Sequence, residues 1–109
     1  MSFDEGLARR LREVLAEERP VMERRMFGGL AFMVNGHMCC GIVGENLVVR
    51  VGAEAYERAL SQPHARAMDF TGRPMKGFVY VGPSGYRTAA DLRKWVRKGL
   101  RFVSSLPAK

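Results

Sequence analysis

At 109 residues and 12.2 kDa the chain has room for one domain, with about 6,100 Å² of folded surface against about 17,700 Å² unfolded, which excludes a two-domain enzyme. A composition of 47% hydrophobic and 27% charged residues excludes a disordered tail and supports one core without metal or disulfide staples. The net charge of +7 is uneven: residues 1–84 hold 11 basic and 10 acidic side chains and residues 85–109 hold 7 and 1, so one terminal element carries the surplus that would draw phosphate, nucleic acid or acidic protein.

Ser2 with Glu5 reads as a capping box, and Phe3, Leu7, Leu11, Val14 and Leu15 recur at helical spacing, predicting a first helix over Phe3 to Glu18. Pro20 ends it, because the ring lacks an N–H and disfavours helix in the residue before. Leu30 to Val34 and His37 to Val43 then flank Asn35-Gly36, the preferred pair for a two-residue type I′ turn. Between Met26 and Gly44 no side chain is formally charged, but five glycines and the central Asn-Gly turn make this a hairpin and not a membrane span.

A third strand over Leu47 to Val51 alternates Leu47, Val49 and Val51 against Val48 and Arg50. A short helix over residues 54–62 stops at Pro63, strands follow at Arg66 to Phe70 and Lys76 to Val81, and Thr88 caps a last helix that runs to Ser105. The chain reads as one α+β domain over residues 1–109, a two-layer α-β3-α-β2-α unit with an antiparallel five-stranded sheet and helices on one face. In a regular hairpin Ala31 lies opposite Cys40 and Met33 opposite Met38, so Ala31, Met33, Met38 and Cys40 form an apolar face that, like the largely apolar opposite face, a second copy could cover in a homodimer.

The two cysteines, Cys39 and Cys40, are adjacent and allow no disulfide framework, and the N-terminus shows no signal segment, so a reducing cytoplasm is expected and no membrane. His37 and Cys39 share a strand face about 6.6 Å apart, too far for direct proton transfer, and no second Cys or His cluster completes a metal site. Neither a P-loop, a dinucleotide fingerprint nor a nucleophile elbow is present, so no catalytic residue and no cofactor is assigned. On the last helix Arg93, Lys94, Arg97, Lys98 and Arg101 fall within an arc of about 140°, opposite Leu92, Trp95, Val96, Leu100, Phe102, Val103 and Leu106. That arc is the candidate face for a protein partner, with weak, sequence-blind nucleic-acid binding as the less favoured alternative.

Arg24, Arg25, Met26, Phe27, Gly28 and Gly29, followed by an apolar strand, the Asn35-Gly36 turn and Met38, resemble the N-terminal domain of the TfoX (Sxy) family of bacterial competence regulators. The resemblance extends over about residues 20–103, through Leu47 to Val51, Phe70 to Pro74 and the closing helix with Trp95. It implies an α+β fold similar to type III secretion chaperones, commonly dimeric, acting as a stand-alone regulatory module without the family's second domain. Arg25, Met26, Phe27, Gly28 and Gly29 are then a structural signature, with the glycines allowing a tight bend.

Overall fold

The computed structural model describes residues 3–18, 20–26, 28–69, 72 and 75–107. Asp4 begins the first helix, α1 (Glu5–Glu18): its Oδ1 accepts the N–H groups of Gly6 at 2.8 Å and Leu7 at 3.1 Å. The helix therefore starts later than its apolar spacing implies. Phe3 is instead buried beside Gly44, whose carbonyl accepts the Asp4 N–H at 2.8 Å; Ser2, the expected cap, lies outside the described residues.

Among the described residues six strands form, not five. The addition is β1 (Met22–Met26), which pairs antiparallel with β2 (Gly29–Val34) through the Met26-to-Gly29 turn. Its central Glu23, Arg24 and Arg25 are exposed, so the strand lacks the alternation by which a half-buried strand is recognised. The glycine signature makes this turn: Gly28 has φ of +72°, and a Cβ on Gly29 would fall 1.9 Å from the Ile42 carbonyl oxygen. Phe27 is outside the described residues.

Next come β3 (His37–Val43), β4 (Asn46–Arg50), α2 (Tyr56–Leu60), β5 (Ala65–Ala67), β6 (Phe78–Val81) and α3 (Ala89–Ser104). Spatial order in the sheet is β1-β2-β3-β4-β6-β5, and every neighbouring pair is antiparallel. Asn35 and Gly36 take φ of 54° and 83°, as a type I′ turn requires. Val34 pairs with His37 and Met33 with Met38, as the regular hairpin predicts.

Beyond that point the register slips. Phe32 pairs with Cys40 and Ala31 with Gly41, leaving Cys39 as an extra residue in a β-bulge. The bulge corrects the expected apolar face: Cys40 leaves Ala31, Met33 and Met38 and joins Cys39 in the core beneath the helices. All three helices contribute to that core, through Leu11 and Leu15 of α1, Tyr56 and Ala59 of α2, and Trp95 and Val96 of α3, over Phe32, Ile42, Leu47 and Val49.

The opposite sheet face is covered by the chain itself. Met68 and Met75, joined by a Met75 N–H to Met68 carbonyl bond of 2.8 Å, pack with Ala31, Met38, Val48 and Tyr80. Of the four residues expected on an open dimer face, Ala31, Met38 and Cys40 are thus buried within one chain. Met33 remains half-buried, beside its register partner Met22, which is 74% exposed. Among the described residues no helix is long and apolar enough to cross a membrane.

Candidate interaction face

Thr88 positions the basic helix: its Oγ1 accepts the Asp91 N–H at 3.0 Å, and Asp91 adds negative charge where the helix dipole is positive. The apolar side of α3 is buried through Leu92, Trp95, Val96, Leu100 and Val103, which turns all five predicted cations outward. They do not form one uniform face. They are spread evenly over an arc of about 140°, but their neighbours divide them into two groups, Arg93 with Arg97 beside α1 and Lys94, Lys98 and Arg101 on the other flank.

The first group meets α1. Arg93 reaches Glu17 at 3.4 Å and Arg97 reaches Glu18 at 3.8 Å. These carboxylates lie in the last turn of α1, which contains no basic residue, so α3 supplies the positive charge that the negative end of the α1 dipole favours. Such exposed pairs are worth about 0.2–1 kcal/mol each; their consequence here is that two of the five cations already have counter-charges.

The second group faces α2, where sequence reading missed a contributor. Arg58 approaches Lys98, and with Arg101 it lines a groove of about 440 Å³ whose apolar wall includes Val51, Ala59 and Phe102. Among the described residues no carboxylate lies within ion-pair distance of Arg58, Lys94, Lys98 or Arg101. Burial holds the Lys98 ammonium below its ordinary pKa of 10.5, and the like charges of Lys94, Arg101 and Arg58 push the same way. Its nitrogen sits 5.7 Å from the Trp95 ring centroid, so part of its stabilisation comes from the aromatic face. Charge balance along the sequence points to α3, but only the fold brings the isolated Arg58 to it.

The remaining polar candidates stay apart. Cys39 and Cys40 are fully buried, and the Cys40 thiol is pushed well above its ordinary pKa of 9.0 by the hydrogen bond with Cys39, by burial and by the Cys39 charge. His37 lies at the start of β3 with Nε2 2.6 Å from the Pro107 carbonyl oxygen, which ties the end of the chain to the hairpin. His64 sits in the turn before β5. Among the described residues no cluster of His, Cys, Asp and Glu is arranged to hold a metal.

The chain matches the TfoX N-terminal domain over residues 13–103, from within α1 to the end of the α3 core face. It belongs to that family. The match reaches further towards the N-terminus than the resemblance in sequence and takes in Val14 and Leu15 of the α1 core face. No curated protein and no solved structure matches the chain at a significant level. At the level of the family, the TfoX N-terminal assignment supports a regulatory module.

Proposed function

We propose that this TfoX N-terminal domain is a non-enzymatic regulatory module that docks an acidic segment of a protein partner on Arg58, Lys94, Lys98 and Arg101. The observation that carries the reading is the convergence of these four cations from α2 and α3 without a carboxylate partner among the described residues. A surface patch with an excess of positive charge steers an oppositely charged partner and fixes its register. Family membership supports a regulatory role, and we extend it to control of transcription or competence exerted through that partner.

Duplex nucleic acid is the alternative occupant. The pairing of Arg93 and Arg97 with Glu17 and Glu18 argues against it, since it leaves only the other four cations to meet phosphates. Four contacting cations would give a slope of log affinity against log salt of about −3.6. A photo-crosslinking residue at Lys94, used in the source cell, tests the choice. We expect a protein adduct that Arg101→Glu abolishes and Arg93→Glu leaves, with no duplex binding at about 200 mM salt. Salt-steep duplex binding lost in Arg101→Glu, without a protein adduct, would overturn the reading.

A further inference from the structure

The groove between α2 and α3 has the construction of a ligand site as well as the charge of a docking face. Its volume of about 440 Å³ falls in the range of small-molecule pockets, roughly 300–1,000 Å³. One wall is apolar, built from Val51, Ala59 and Phe102; the rim carries Arg58, Lys98 and Arg101 against the single carboxylate of Glu54.

The apolar wall is fixed in place. Gly52 has φ of +84°, and a Cβ there would lie 2.3 Å from Cδ1 of Phe102, so the ring packs directly on bare backbone. The Arg50 guanidinium stands 5.2 Å from the Phe102 centroid and 5.5 Å from that of Phe78, bracing the two rings together. Val51 and Gly52 both donate their N–H groups to the Gly77 carbonyl oxygen, at 2.8 and 3.1 Å, which holds the end of β4 under the ring. A surface braced in this way loses little freedom when a ligand settles on it.

Charge then selects the ligand. Three cations against one carboxylate leave two positive charges, matching a phosphate monoester of charge about −1.5 to −2 at neutral pH and exceeding what a single carboxylate offsets. Two of the three cations are arginines, whose planar forks suit phosphate oxygens. We propose that this groove binds a small phosphate monoester, its phosphate among Arg58, Lys98 and Arg101 and its apolar or aromatic body on Val51, Ala59 and Phe102. The site does not depend on a protein partner, because the ligand meets only residues of this chain.

Trp95 is the only tryptophan and lies under the Lys98 ammonium, so its fluorescence reports on any anion that draws Lys98 away. The purified domain is titrated with phenyl phosphate, inorganic phosphate and benzoate. Phenyl phosphate should bind saturably and at least about tenfold more tightly than either of the others, because only it carries both the dianion and the ring. Arg58→Gln and Arg101→Gln, both at exposed positions, should each weaken it by about tenfold or more, while Arg93→Gln leaves it within about twofold. Circular dichroism verifies that each variant is folded. Equal affinity for all three probes, or undiminished phenyl phosphate binding in Arg58→Gln and Arg101→Gln, would overturn the proposal. Since no partner is present, neither result bears on the crosslinking experiment.

Discussion

Gly99 of α3 lies directly over Cys39 of β3: a Cβ on Gly99 would fall 2.8 Å from the Cys39 carbonyl oxygen and 3.1 Å from its Sγ. Glycine inside a helix costs about 1 kcal/mol relative to alanine, so propensity alone makes Gly99→Ala stabilising. The contact reverses that sign, because the nearest atom is backbone and cannot swing aside. Gly99→Ala should lose about 1–3 kcal/mol of stability in urea unfolding. A gain in stability would mean that α3 can lift from the sheet at little cost.

Tyr86 fastens the entrance of α3 to the β3–β4 turn, its hydroxyl donating to the Glu45 carbonyl at 2.5 Å while Arg10 stands 5.7 Å from its ring centroid. Tyr86→Phe should cost about 1 kcal/mol at neutral pH. Burial, then the charges of Asp4 and Glu45, raise the phenol above its ordinary pKa of 10.0, with Arg10 opposing. A raised folded value means that the contribution is complete below about pH 10 and is lost as pH rises through the folded pKa. Thermal unfolding from pH 9 to 11.5 should therefore fall less steeply in Tyr86→Phe than in the parent protein.

Both thiols should resist alkylation in the native state. Cys39 and Cys40 are inaccessible, and the raised pKa of Cys40 removes the reactive thiolate. Iodoacetamide at pH 8 should label neither until urea unfolds the chain, after which mass spectrometry should show two adducts. Native labelling of either would show that α3 opens locally.

Self-association should run through the β1 edge and not through the covered hairpin face. Among the described residues Met22 is the large apolar side chain left most open, and it pairs in register with half-buried Met33. Met22→Glu should shift sedimentation towards the 12.2 kDa monomer without loss of helix signal. An unchanged dimer in that variant would move the interface elsewhere.

What the sequence reveals about this fold depends on whether each signal is local. The Asn35-Gly36 turn, the Thr88 cap and the apolar side of α3 are carried by adjacent or helically spaced residues and appear where expected. β1 escaped because an edge strand exposed on both sides has no reason to alternate, although a glycine pair before a strand calls for a partner strand ahead of it. The bulge escaped because a regular hairpin is the simplest extrapolation from its turn. At the interaction face the five cations of α3 were legible, while their separation into two groups depended on Glu17, Glu18 and Arg58, which come from other helices.

The bulge also sets which lengths of β3 the sheet can accept. Because Cys39 is supernumerary in the ladder, removing it would join Met38 to Cys40 and leave Phe32, Ala31 and Leu30 opposite the partners they already have. Removing Gly41 instead would keep Ile42 opposite Leu30 only by moving Cys40 into the place opposite Ala31, where a Cβ falls 2.6 Å from the Leu30 carbonyl oxygen. The strand should accordingly tolerate a deletion at one position and reject it two residues away. Deleting Cys39 would remove the residue whose carbonyl oxygen a Cβ on Gly99 approaches to 2.8 Å, so the cost of Gly99→Ala should differ between the two lengths of β3.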